Sequence, residues 1–202
     1  MTTLNKQLYD KKNKAIEQQC KLVIPNKYLK YNCDRTESLN SNEGKSLYLW
    51  GTVGVGKSVF AGHISQKYIK DNLKLIVYED DFSCPQFAEI KWVNYPELIS
   101  KMRSSFSRNS EDTAWCLAEE IAQCRGLVVL DDFAAETISG FVRDITYYII
   151  NHRDLNELQT VITSNVELKN IEERISSRIA GMCEIIKMQG SDRRLSSGVG
   201  KD

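Results

Sequence analysis

The sequence predicts an α/β fold, a five-stranded parallel sheet with helices on both faces. Three observations lead there. Short apolar runs of strand length occur at 46–50, 89–93, 126–133, 159–165 and 183–188. Stretches with helical spacing lie between them, as where Phe141, Ile145 and Ile149 recur four apart. Strands that alternate with helices in this way build a parallel sheet covered on both sides. The third observation is a glycine-rich stretch placed where the first strand gives way to the first helix.

With 202 residues, 42% hydrophobic and 27% charged, the chain has the profile of a soluble globular protein of one domain with a small appendage. A chain this long buries a full core without disulfides or metals. Formal net charge is zero, so no global field advertises nucleic acid or membrane, and any basic surface is local. Cys20, Cys33, Cys84, Cys116, Cys124 and Cys183 are scattered with no C-x-x-C pair, which excludes zinc spacing and points to reduced thiols. The two histidines form no H-E-x-x-H. The first residues lack the apolar core of a signal peptide, and no apolar run approaches membrane-spanning length, so the expectation is a cytoplasmic protein.

Residues 4–20 set Leu4, Leu8, Ile16 and Cys20 at mostly helical spacing, and residues 1–32 carry seven lysines against Asp10 and Glu17. Such a basic segment reads either as a solvated helix face or as a docking arm for a partner or nucleic acid. Strand "SLYLW" (46–50) then leads through the glycine loop into a helix over 57–70. The stretch 73–87 holds an extra strand or a loop insertion. "EIKWV" (89–93) is a strand followed by a helix over 95–106; a further helix over 111–124 precedes the buried strand "GLVVLDDF" (126–133). The remaining elements are a helix over 136–153, strand "QTVITSN" (159–165), a helix over 167–181 and a last strand "CEIIKM" (183–188). Pro25, Pro85 and Pro96 punctuate the pattern.

"GTVGVGKS" (51–58) fits G-x-x-x-x-G-K-[ST], with Gly51, Gly56, Lys57 and Ser58 at the fixed positions. Glycines let the backbone wrap closely round phosphate oxygens, and the loop's N–H groups from Thr52, Val53, Gly54, Val55 and Val59 join that cradle. The following helix directs the positive end of its dipole at the same anion. Lys57 is expected to reach the β and γ phosphates of ATP and Ser58 to hold Mg2+.

The strand ending in Asp131 and Asp132 delivers two carboxylates to the end of the sheet where ligands bind. Asp131 is assigned to the metal and Asp132 to polarising the attacking water, with Glu136 as the rival base and a simple helix cap as the structural reading. "VITSN" closes the next strand with Thr163, Ser164 and Asn165; an amide beside a γ-phosphate orients water without adding negative charge. Arg174 and Arg178 lie four apart, on a helix face next to Ile171, Ile175 and Ile179. They are either a solvated stripe or guanidiniums that reach a neighbouring subunit's γ-phosphate, and spacing leaves both readings open. Arg193 and Arg194 follow in "QGSDRR". Tyr9, Tyr28 and Tyr31 among lysines suit stacking on single-stranded nucleic acid, but core or adenine packing is the preferred use of Tyr28 and Tyr31.

Taken in order, "SLYLWGTVGVGKS", "GLVVLDDFAAE", "VITSN", "RISSRIAG" and "QGSDRR" resemble the DnaC/DnaI helicase loaders and their IstB relatives, a branch of the AAA+ P-loop ATPases. "VIPNKYLKYN" is similar to that family's lead-in, which lies near the adenine. The likeness covers roughly residues 22–195. It implies strand order 5-1-4-3-2, no helical lid domain, and ATP bound between subunits of a homo-oligomer. It also implies Asn165 as the sensor, Arg178 as the finger from a neighbouring copy, and Arg174 in reserve. The implied partners are a replicative hexameric helicase and single-stranded DNA. On this reading residues 1–21 are a helical docking arm, 22–195 the ATPase domain and 196–202 a flexible tail. The acidic pair departs from the usual Asp-Glu, and Cys20 with Cys33 does not supply the zinc pattern some loaders carry. Two other functions share parts of the pattern: an IstB-like transposition regulator bound to duplex DNA, and a small-molecule P-loop kinase. The kinase reading lacks an arginine-rich lid.

Overall fold

The computed structural model describes residues 3–30, 44–78, 83–106, 111–133 and 140–190. Helix α1 (Thr3–Val23) and the single turn α2 (Asn26–Leu29) precede β1 (Ser46–Trp50). After the glycine loop come α3 (Lys57–Asn72), β2 (Lys74–Val77), β3 (Ser83–Gln86) and β4 (Ile90–Asn94). Then follow α4 (Tyr95–Phe106), α5 (Glu111–Ala122), β5 (Leu127–Phe133), α6 (Gly140–Leu155) and β6 (Thr160–Ser164). A 3-10 turn (Leu168–Asn170), α7 (Glu173–Met182) and β7 (Cys183–Lys187) complete the described elements.

The central sheet runs β7-β1-β6-β5-β4 and every pairing in it is parallel. Numbered by themselves, its five strands stand in the expected order 5-1-4-3-2. The stretch 73–87 does not join them: β2 and β3 pair antiparallel as a separate hairpin.

Side-chain alternation along the strands divides the core between the two faces. Tyr48, Val128, Leu130 and Ile162 point to one side, where Leu98, Met102, Ala118, Ile145, Ile149, Ile175 and Ile179 from α4 to α7 cover them. Leu47, Leu49, Leu127, Val129 and Val161 point to the other and meet Phe60, Ala61 and Ile64 of α3. Beyond that lies a third cluster, in which Ala15, Cys20, Ile24 and Tyr28 close over Ile69 and Leu73.

The N-terminal helix is therefore built onto the domain. Buried Gln19 pairs with the backbone of Ala88 in both directions, donating to its carbonyl at 2.6 Å and accepting from its N–H at 3.1 Å. The boundary expected between residues 21 and 22 falls inside one continuous helix, with Cys20 and Ile24 in the same cluster.

Two helix starts follow from local chemistry. Asn94 caps α4 by accepting the N–H of Glu97 at 3.0 Å, and Glu172 caps α7 by accepting the N–H of Ile175 at 3.1 Å. That second cap corrects the single helix expected over 167–181. Ile171 is extended (φ −90°, ψ 152°), so the stretch breaks into the 3-10 turn and α7. Ile175 and Ile179 are fully buried on the core side of α7, as their spacing predicts.

Candidate functional site

The site lies at the carboxyl ends of β1, β5 and β6, where the chain places its glycine loop, its acidic pair and Asn165. β1 ends in tight contact with β7: the N–H of Met188 donates to the Trp50 carbonyl at 2.7 Å, and the N–H of Gly51 reaches the Ser164 carbonyl at 3.3 Å. A Cβ on Gly51 would stand 2.2 Å from the Met188 carbonyl oxygen, so only glycine fits there. Gly56 takes the left-handed conformation (φ 94°, ψ 20°) at the N-cap of α3, and its carbonyl accepts from Phe60. The loop thus turns straight into the positive end of a 16-residue helix. Within it, Thr52 and Val53 are exposed, Gly54 is half-buried and Val55 is buried; Val59 faces the N-terminal cluster from α3.

Lys57 is 6% exposed and folds back over the loop. Its ammonium donates to the carbonyls of Gly51 and Thr52, both at 2.8 Å, and to Asn165 Oδ1 at 2.7 Å. The fold thereby brings the loop lysine and the expected sensor amide into direct contact across 108 residues of sequence.

The acidic pair sits on a β-bulge. Leu130 pairs with Ile162 but Phe133 pairs with Ser164, so β5 carries one residue more than β6 between them. Asp132 absorbs the irregularity with a positive φ of 58°, a strained conformation outside glycine that aspartate tolerates better than most. The bulge turns the two acids in different directions. Asp131 is buried at 1% exposure, and Asp132 is half-buried. The Thr163 hydroxyl joins them, donating to Asp131 Oδ1 at 2.7 Å and accepting the Asp132 N–H at 3.0 Å. Ser164 holds the same corner by donating to the Phe133 carbonyl at 2.7 Å.

The second oxygen of Asp131 is met by Tyr28, whose hydroxyl donates to Oδ2 at 3.1 Å. Burial pushes the Tyr28 phenol above its ordinary range, while the neighbouring Lys27 and Ser58 pull the other way. Lys27 lies 4.5 Å from the ring centroid, and its own pKa is raised, first by its bond to Tyr28 and then by the charges of Asp131 and Asp132.

Sequence reasoning missed Tyr28 and Lys27 as neighbours of the acids. The only available signal was the position of "IPNKYL" ahead of β1, which suggested adenine or core packing. Nothing in local spacing announces a contact between residues 103 apart.

Arg174 and Arg178 project from α7 toward α6. Arg178 bonds Asp154 at 3.2 Å, and its pKa is raised by its neighbours, Tyr147 most and then Asp154. Arg174 stacks 4.4 Å above the Tyr147 ring, and the two guanidiniums hold that phenol below its ordinary range, Arg178 first. Glu136, Tyr31, Cys33, Arg193 and Arg194 lie outside the described residues. Among the described residues no group of His, Cys, Asp and Glu has the makings of a metal site built from those types alone, and no helix is long and apolar enough to cross a membrane.

No protein-family model matches the chain. The replicative helicase loader DnaI of Bacillus subtilis (strain 168) is 26% identical over 174 residues, which take in 76% of this chain and 49% of DnaI. The chain spans about half the length of this curated relative. A crystal structure of DnaI superposes with a TM-score of 0.60 at 24% identity, covering 82% of this chain and 94% of that one. The DnaC helicase loader gives 0.58 at 21% identity, covering 82% of this chain and all of the other. DnaA from Aquifex aeolicus bound to AMPPCP gives 0.56 at 16% identity, covering 76% of this chain and 43% of that one. The fold is that of the DnaC/DnaI-like AAA+ P-loop ATPases. The glycine loop, the acidic strand end and the polar end of β6 meet at one corner of the sheet.

Proposed function

We propose that the chain is an ATP-binding and ATP-hydrolysing protein that works as a helicase loader. The observation that carries the nucleotide reading is the convergence of Lys57 and Asn165 over the glycine loop at one helix N-terminus, with Asp131 held by Thr163 at the neighbouring strand end. A buried lysine bonded to two carbonyls and an amide is poised to exchange those neutral acceptors for a charged phosphate oxygen, which binds an ammonium more strongly.

The donor set fits a hard divalent cation. Ser58 and Asp131 offer a hydroxyl and a carboxylate oxygen beside the loop, the ligand types Mg2+ takes with substrate phosphates. Bound there, Mg2+ would neutralise charge on the phosphate oxygens. Asp132, less buried than Asp131 and turned away from it by the bulge, is the base that polarises the attacking water; Glu136 is the rival. Asn165 orients that water once Lys57 has moved onto phosphate. Arg178, with Arg174 in reserve, completes the site of a neighbouring copy in a homo-oligomer.

The helicase-loader reading rests on the likeness to DnaI, a replicative helicase loader, over three quarters of this chain. Its partner is a replicative hexameric helicase, with single-stranded DNA as the second ligand. The experiment has two arms. Lys57→Ala is expected to weaken binding of a fluorescent ATP analogue by at least tenfold, and equal binding by both proteins would remove Lys57 from the site. Retention of the host's replicative helicase on immobilised protein supports loading. Tight duplex-DNA binding with no helicase retained would instead favour a transposition regulator.

A further inference from the structure

We propose that Tyr28 is a positioning residue for Asp131: its hydroxyl fixes the carboxylate that would hold the metal and ties it to the N-terminal helices. The inference rests on the nucleotide-site reading above and adds to it a residue from outside every motif.

Asp131 is buried, so its carboxylate has no bulk water to orient it. Two neutral donors do so instead. Thr163 holds Oδ1 at 2.7 Å, and Tyr28 holds Oδ2 at 3.1 Å. Each carboxylate oxygen has two lone pairs, so both keep one with which to accept from a metal-bound water. With both oxygens tethered, the carboxylate plane cannot swing. Partners of this outer kind typically set metal affinity by tenfold or more.

Tyr28 is itself fixed by packing. It is 6% exposed, its ring lies 5.5 Å from that of Trp92 on β4, and it belongs to the cluster formed by Ala15, Cys20 and Ile24 against α3. A buried ring placed for packing alone would be served by phenylalanine. The hydroxyl has been carried into the interior and given a carboxylate to bond, at a desolvation cost that the contact offsets. The placement of α1 and α2 on α3 is thereby read directly at Asp131.

The test uses Tyr28→Phe in the full chain, which keeps the ring and removes one oxygen. Mn2+ is titrated into each protein in the presence of AMPPCP and followed by electron paramagnetic resonance. Affinity for AMPPCP is measured separately in EDTA. The expected result is Mn2+ binding about tenfold weaker in the variant, with metal-free AMPPCP affinity and melting temperature essentially unchanged. Mn2+ binding that is equal or tighter in Tyr28→Phe overturns the proposal. Parallel weakening in EDTA and in Mn2+ also overturns it, because a merely structural loss would lower both. Failure of the wild-type protein to bind AMPPCP under either condition sinks the nucleotide-site reading itself, a different outcome from the first two.

Discussion

At the scale of single residues, burial has the largest consequence at ionisable groups. Cys183 is pushed up to about 12 from an ordinary 9 because desolvation disfavours its thiolate, and burial raises Cys20 and Cys124 in the same direction. Each thiol holds its proton more tightly folded than unfolded. Their contribution to stability is therefore complete below pH 9 and is lost as pH rises toward 12. Tyr48, raised to about 12 by burial while its hydroxyl donates to the Val166 carbonyl, adds the same sign above pH 10. The urea midpoint should accordingly fall between pH 8.5 and about 10, and Cys183→Ala should flatten that fall. Superimposable profiles for the two proteins would contradict the assignment. Asp132 is the other residue under stress. Its left-handed backbone at a strand end, imposed by the bulge, is a conformation worth about 1 kcal/mol or more of strain.

Elements are joined here by one side chain above all. Arg153 on α6 is fully buried and meets no carboxylate among its described contacts. Its guanidinium donates to the carbonyls of Ile121 at the end of α5, of Cys124 and Gly126 before β5, and of Gln159 before β6, and to the Thr160 hydroxyl. The C-terminus of α5 is the negative end of a helix dipole, which suits a cation. Burial lowers the guanidinium to about 10, so it remains charged at neutral pH. Arg153→Met should cost about 3 kcal/mol or more, because several buried carbonyls lose their donor together. Thermal melting should drop by roughly 10 °C; a shift under 2 °C would show that water replaces the guanidinium. This element-scale tie was not legible in the sequence, where Arg153 reads as one more charge at a helix end. The elements themselves were. Short apolar runs between helical stretches located all five sheet strands, most clearly β1, β5 and β6, whose burial on both faces writes itself as continuous hydrophobicity. The misreading came where one residue decides the path: Glu172 restarts a helix that periodicity ran through. The stretch 73–87, left open as an extra strand or an insertion, pairs with itself outside the sheet.

For the molecule as a whole, the candidate site was legible wherever a motif carries its own backbone requirement. Gly51 and Gly56 announce the loop because nothing else fits the close approach or the left-handed turn. Thr163 as a bridge between the acids and Tyr28 as their neighbour were not legible, since both depend on how distant elements stack. The arginines show the same limit. Spacing put Arg174 and Arg178 on one face, but only packing reveals that Tyr147 and Asp154 hold them there. If Arg178 completes a neighbour's site, Arg178→Ala should spare ATP binding and lower hydrolysis at least tenfold. Mixing it with Lys57→Ala should restore part of the turnover, because each mutant supplies what the other lacks. No recovery at any mixing ratio would argue against a shared site. The docked first helix, finally, bears on how the protein can be cut. A fragment begun at residue 22, where the motifs invite a boundary, would strip Ala15, Gln19 and Cys20 from their neighbours and partly uncover the cluster around Ile69 and Leu73. Such a truncation would be recovered insoluble or sticky, and any loss of partner binding it showed would report damaged architecture instead of a missing handle.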